Sequence, residues 1–176
     1  IIEANPASVV IVDEAYIDFG GTSCIPLIEK YDNLLVVQTF SKSRSMAGMR
    51  IGFAIGNEKL IKFMNDVKFS INSYTMNPLS QLCGAEAVYD DEYFVKTTND
   101  IIETREYAKK KLTELGFTFP DSMSNFIFAS HEELKKRKIF VRYWNKPRIN
   151  NHLRITIGTK EEMNRLFEAL TEILEK

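Results

Sequence analysis

The sequence predicts an α/β protein in two parts, a strand-and-crossover unit followed by a smaller α+β unit. Two observations carry this. Val9-Val10-Ile11-Val12 and Leu34-Leu35-Val36-Val37 are apolar at every position, the pattern of parallel-sheet strands covered on both faces rather than on one. After residue 90 the texture changes to a long charged helix, then short strands, then a final helix, so the parts are expected to run 1–90 and 91–176.

Each element has a local reason. The first strand is closed by Asp13-Glu14, and the second by Thr39, Ser41 and Lys42. Cys24 to Tyr31, between them, is long enough for a short crossover helix that completes a βαβ-like unit. Met49 to Ile55, carrying Gly52, reads as another strand. Asn57 is a suitable N-cap for a helix from Glu58 to about Phe69, with Leu60, Ile61, Met64 and Val67 on one stripe. Asn77-Pro78 opens a second helix, because the first helical position does not need the N–H that proline lacks. The long helix from Asp91 stops at Gly116. Short strands follow at Asn125 to Ala129, Ile139 to Tyr143 and Leu153 to Ile157. A last helix from Thr159 turns Phe167, Leu170, Ile173 and Leu174 toward a core.

Composition excludes several classes. The chain of 176 residues is 44% hydrophobic and 27% charged, enough apolar surface to offset the entropy lost on folding. Lys plus Arg number 23 against 24 Asp plus Glu, so no global field draws the protein to nucleic acid or anionic lipid. Any anion must be held locally. Cys24 and Cys83 lie in no CxxC spacing and read as buried thiols of a reducing compartment. The apolar runs are too short to span a bilayer, and Ile1-Ile2-Glu3 lacks the order of a signal peptide. His131 and His152 fall in no metal-ligand spacing, so no metal is expected. Lys135-Lys136-Arg137-Lys138 follows Glu132-Glu133 and reads as a solvated helix end rather than a nucleic-acid patch.

In open α/β sheets ligands gather beyond the carboxyl ends of the strands, where Asp13, Tyr16, Ser41 and Lys42 lie. The segment Thr39-Phe40-Ser41-Lys42-Ser43-Arg44-Ser45-Met46-Ala47-Gly48-Met49-Arg50-Ile51-Gly52 concentrates hydroxyls, one lysine and two arginines, with Ala47-Gly48 allowing close backbone approach. It is not a P-loop, since Gly-x-x-x-x-Gly-Lys-Ser is absent. Hydroxyls and a planar guanidinium form an anion cradle, and a lysine beside it is a candidate for covalent bonding to a carbonyl. An ordinary polar loop is the competing reading.

Val10-Ile11-Val12-Asp13-Glu14-Ala15-Tyr16-Ile17-Asp18-Phe19, Thr39-Phe40-Ser41-Lys42 and Ala47-Gly48-Met49-Arg50-Ile51-Gly52 resemble the pyridoxal 5′-phosphate (PLP) site of fold-type I aminotransferases, specifically the histidinol-phosphate aminotransferase family. Val141-Arg142-Tyr143-Trp144 and Leu153-Arg154-Ile155-Thr156-Ile157-Gly158-Thr159 extend the resemblance over nearly the whole chain, in the family's order. It implies that Lys42 binds PLP covalently and then shuttles a proton. Asp13 would pair with the pyridinium nitrogen, Tyr16 would donate to the phenolate oxygen, and Thr39, Ser41 and Arg50 would hold the 5′-phosphate. Arg154 would receive the anionic end of the substrate and Arg142 would help to hold its phosphate. Leu153 to Ile157 alternates, which puts Arg154 and Thr156 on one face; without the resemblance, an exposed strand arginine is the simpler reading.

The implied protein is a cytoplasmic homodimer of histidine biosynthesis that exchanges an amino group between histidinol phosphate and 2-oxoglutarate, with neither nucleic acid nor membrane as partner. By the same resemblance the chain starts just upstream of the Asp13 strand. The family's N-terminal half, which supplies further phosphate ligands, a ring stacked on the cofactor, an Asn and a Tyr from across the dimer, is then expected to be absent. The fold class implied is the C-terminal part of a fold-type I large domain plus the small C-terminal domain. Such a piece should bind PLP weakly and leave apolar faces uncovered. The stretch between Ala129 and Ile139 is shorter than in the family, which bears on the placement of Arg142. A phosphothreonine decarboxylase, another amino-acid aminotransferase and a non-catalytic α/β module are the alternatives.

Overall fold

Strand β2 (Leu34–Thr39) is the centre of the first sheet: Leu34, Leu35 and Val36 are all buried, as their uninterrupted apolar run predicts. The computed structural model describes residues 1–131, 142–143, 146–150 and 152–174. Strand β1 (Val10–Asp13) pairs parallel with β2, Val10 opposite Leu34 and Asp13 opposite Val37. Strand β3 (Gly52–Gly56) pairs antiparallel with β2 on its other side, with Thr39 opposite Gly52. A Cβ on Gly52 would lie 3.2 Å from the Gln38 carbonyl oxygen, so the backbones meet closely there.

Three expectations are corrected in this unit. Cys24 to Tyr31 is no crossover helix; only a 3-10 turn, Ile25–Leu27, forms there. Pro26 suits a first turn, but too few residues follow before Leu34 to repay a helix nucleus. Strand β1 alternates instead of being covered on both faces, with Ile11 62% exposed. Both cysteines are half-buried rather than buried.

Helix α1 (Glu58–Ile71) starts at Asn57, whose side chain accepts the Lys59 N–H at 2.9 Å. Its expected stripe is only partly covered: Leu60 and Ile61 are half-buried, while Met64 and Val67 are exposed. Helix α2 (Pro78–Tyr89) begins at Asn77, which accepts from Ser80 N–H at 2.8 Å, with proline in the first turn. Gly84 brings it close to the loop before β3, since a Cβ there would lie 2.8 Å from Ile51 Cδ1.

The chain divides into units Ile1–Val95 and Lys96–Lys176, so the division lies inside helix α3 (Asp91–Glu114), where the sequence suggests a boundary near residue 90. In the second unit α3 ends at Gly116, whose φ of 81° favours glycine, and Phe117 N–H closes back on the Leu112 carbonyl at 2.9 Å. Strands β4 (Phe126–Ser130), β5 (Arg142–Tyr143) and β6 (His152–Thr156) form an antiparallel sheet in the order β4-β6-β5. Most of the expected strand from Ile139 lies outside the described residues, as does the Lys135 to Lys138 helix end. Helix α4 (Lys160–Leu174) is opened by a reciprocal cap: Glu162 accepts from Thr159 N–H at 2.8 Å, and Thr159 Oγ1 accepts from Glu162 N–H at 3.2 Å. Ala108 and Leu112 of α3, Ile127 and Ala129 of β4, Leu153 and Ile155 of β6 and Met163, Phe167 and Leu170 of α4 close one apolar core. The predicted stripe holds, with Ile173 and Leu174 packed at its margin.

On the outside of α3, Lys109 Nζ reaches Glu106 Oε1 at 2.9 Å and Asp121 Oδ1 at 2.6 Å. The Lys109 ammonium, hydrogen-bonded to each, holds both carboxyls below the ordinary carboxylate range. A lowered acid favours the folded state above its unfolded pKa, and that contribution is lost as pH falls through the folded value. Urea-unfolding midpoints should therefore fall on acidification below about pH 4, and Lys109→Met should make that fall shallower.

Candidate active site

The strand directions assemble the site. β1 and β2 run parallel and end at one sheet edge, while β3, antiparallel to β2, starts there. Asp13, Tyr16, Thr39, Ser41, Lys42 and Arg50 therefore converge on that edge from three segments.

Asp13 is exposed, and its Oδ1 accepts the Ala15 N–H at 3.0 Å. Tyr16 is half-buried ahead of a 3-10 turn, Ile17–Phe19, anchored by the fully buried Phe19. Lys42 Nζ sits 5.4 Å from the centre of the Tyr16 ring, within range of a cation–π contact. Lys42 opens a tight turn closed by Ser45 N–H to the Lys42 carbonyl at 3.1 Å and by Met46 N–H to the Phe40 carbonyl at 3.0 Å.

Thr39 organises the hydroxyls. Its Oγ1 accepts the Ser41 N–H at 3.1 Å and lies 2.9 Å from Ser41 Oγ and 3.1 Å from the Ile51 carbonyl oxygen. Arg50 occupies the left-handed region (φ 56°, ψ 41°), follows a 3-10 turn, Ala47–Met49, and donates from Nη1 to the Ala47 carbonyl at 3.0 Å. Among the described residues, its chain neighbours aside, no heavy atom lies within 4 Å of a Cβ placed on Gly48, so none of them makes the close approach expected at Ala47-Gly48. Arg44 points elsewhere: its guanidinium donates to the Ala87 carbonyl near the end of α2 and lies 4.0 Å from the Phe94 ring centre.

Four residues here, Glu14, Gln38, Asp18 and Ser43, are not singled out by the sequence. Glu14 is 5% exposed, and its carboxylate accepts from Ser23 Oγ at 2.8 Å, Cys24 N–H at 2.6 Å and Gln38 Nε2 at 2.9 Å. Ser43, equally buried, donates from its hydroxyl to Asp18 Oδ2.

In the second unit, Arg154 on β6 is half-buried with its guanidinium carbon 4.0 Å from the centre of the Phe126 ring. Leu153, Ile155 and Ile157 are buried beside it, as the alternation predicts. Arg142 on β5 stands opposite Arg154 in the strand register. His131 lies against the Phe117 ring and His152 stacks on Phe128 at 4.6 Å. Among the described residues, no cluster of three or more His, Cys, Asp or Glu is placed to hold a metal, and no helix is long and apolar enough to cross a membrane.

Lys42 beside Tyr16, with the Thr39 and Ser41 hydroxyls just ahead of it and Asp13 and Arg50 at the same end of the strands, gathers groups whose chemistry suits a carbonyl-bearing, anionic ligand. The family described as aminotransferase class I and II matches residues 1–170, and the chain belongs to that family. It is 53% identical over 184 residues to the histidinol-phosphate aminotransferase of Brachyspira hyodysenteriae, covering 99% of this chain and 52% of that protein. With the histidinol-phosphate aminotransferase of Lactococcus lactis subsp. lactis it shares 49% identity over 185 residues, 100% of this chain and 51% of the relative. The chain thus spans about half the length of the curated relatives it matches. The histidinol-phosphate aminotransferase of Sinorhizobium meliloti, solved with pyridoxal-5′-phosphate, superposes with a TM-score of 0.81 at 21% identity, over 97% of this chain and 50% of that one, a likeness of fold.

Thr39→Ala should leave the Ser41 N–H without its acceptor and lower stability by about 1 kcal/mol. Thr39→Ser, which keeps the oxygen, should recover most of it in urea denaturation.

Proposed function

We propose that this chain is the lysine-bearing part of a PLP-dependent aminotransferase that moves an amino group between histidinol phosphate and 2-oxoglutarate in histidine biosynthesis. The observation that carries the reading is the convergence of Asp13, Tyr16, Thr39, Ser41, Lys42 and Arg50 on one sheet edge. The donor set fits the cofactor. Thr39 and Ser41 offer hydroxyls and Arg50 a guanidinium, a mixture suited to a phosphate dianion. Among the described residues no hydrogen bond is made to Asp13 Oδ2, which leaves that oxygen for a protonated ring nitrogen.

Bound PLP supplies a carbonyl for the amine and a ring that accepts the electron pair left when the substrate carbon loses its proton. This chain's residues do the rest. Asp13 keeps a proton on the ring nitrogen through its negative charge. Tyr16 orients the cofactor's phenolic oxygen by hydrogen bonding. Lys42 Nζ takes the proton from the substrate carbon and returns it at the other end of the transfer. Arg154 and Arg142 take the anionic ends of the substrate, since histidinol phosphate has no carboxylate and needs its phosphate held. A cytoplasmic homodimer completes the reading.

Borohydride reduction with PLP should fix a pyridoxyl group on Lys42, and a label on another lysine with Lys42 unmodified would sink the assignment. In the full-length protein carrying this chain, product analysis with histidinol phosphate should show amino transfer rather than loss of carbon dioxide from a phosphorylated amino acid. Arg50→Gly offers a cleaner test of the phosphate site than alanine, because its φ of 56° suits glycine. Melting should shift little while PLP affinity falls about tenfold or more, the loss of one charge-assisted phosphate contact.

A further inference from the structure

We infer that Glu14 is a positioning residue for Lys42, acting with Asp18 as a pair of clamps that hold the Gln38 to Ser43 segment at both ends. The inference rests on reading Lys42 as the cofactor lysine, although the clamps are physical whatever Lys42 does.

Glu14 is tied to β2 twice. Its backbone N–H donates to the Val37 carbonyl at 2.9 Å, and its carboxylate accepts from the side chain of the next residue, Gln38, at 2.9 Å. The same carboxylate gathers the 23–24 turn through Ser23 Oγ at 2.8 Å and Cys24 N–H at 2.6 Å. All three donors are neutral, and no ion pair to Glu14 forms among the described residues. Burying a carboxylate without a cation is costly unless its lone pairs are filled, and here they are filled by groups from two other segments. The second clamp is Ser43, 5% exposed, whose hydroxyl donates to Asp18.

Between the clamped ends lie Thr39, Ser41 and Lys42; between the acids lies Tyr16, with Asp13 immediately before Glu14. The two acids therefore fix one strip of site residues against the other, ahead of Lys42 and after it. The 5.4 Å spacing of Lys42 Nζ from the Tyr16 ring depends on both strips. Proton transfer to a bound reactant tolerates little misplacement, so a residue that touches neither cofactor nor substrate can govern it.

The test uses the full-length protein carrying this chain, with Glu14→Ala, Glu14→Gln and Ser43→Ala. A glutamine at 14 can still accept from Cys24 N–H and, with the Gln38 amide turned over, bond to Gln38; an alanine can do neither. Hydrogen exchange is followed in peptides covering 38–46 and, as control, 127–129, together with the PLP dissociation constant and the rate of borohydride labelling at Lys42. Glu14→Ala and Ser43→Ala should each speed exchange in 38–46 and weaken PLP about tenfold, with the control peptide unchanged and Glu14→Gln within about threefold of the parent. A folded Glu14→Ala with the parent's exchange, PLP affinity and labelling rate would overturn the inference. Should Glu14→Ala fail to fold, Ser43→Ala decides by the same readouts. If the parent protein itself binds no PLP, the reading of Lys42 fails, and exchange alone still decides the clamps.

Discussion

The parallel pairing of β1 with β2 is the constraint on which the site depends. Val10 to Asp13 lie opposite Leu34 to Val37, so both strands deliver their last residues to one edge, and the register decides which residues face each other there. A slip of one position would move every side chain of β1 to the opposite face, exchanging the places of Asp13 and Glu14. The first is exposed and the second buried, and this register puts the shorter carboxylate at the open edge and the longer one beneath it, where it reaches Ser23, Cys24 and Gln38. The antiparallel return of β3 then sets Arg50 at the same edge without a further crossover.

Local rules with a short reach were readable in the sequence. Asn57, Asn77, Thr159 and Gly116 act as the caps and stop that their chemistry predicts, because each works through bonds to residues two to five positions away. The run from Leu34 to Val36 is buried for the reason its composition states. Expectations failed where burial depends on what covers an element. Ile11, Met64 and Val67 carry the pattern of covered residues and are exposed in this unit. The crossover helix failed for a local reason, the shortness of the chain between Pro26 and Leu34.

The candidate site divides along the same line. Lys42 and the hydroxyls around it stand out because lysine, serine and threonine follow directly on a strand end, and position beyond a strand end is itself informative. Glu14, Gln38 and the Asp18–Ser43 pair do not stand out, because their bonds join residues 24 and 25 positions apart, a pairing that appears only once two strands are laid side by side. Arg50 stands out by its charge, but its backbone does not: nothing in Met49-Arg50-Ile51 marks a left-handed residue, since the adjacent 3-10 turn and the start of β3 impose it.

The uneven covering of the helices affects how the chain behaves on warming. Among the described residues the second unit closes most of its large apolar side chains into one core, whereas α1 holds Phe63, Val67, Phe69 and Ile71 in water, at 64%, 58%, 64% and 81% exposure. Attraction between such surfaces is entropic near room temperature and weakens in the cold. Contacts made through α1 by this chain alone should therefore loosen on chilling and strengthen on gentle heating, so turbidity that develops in a warm solution is not by itself a sign of unfolding.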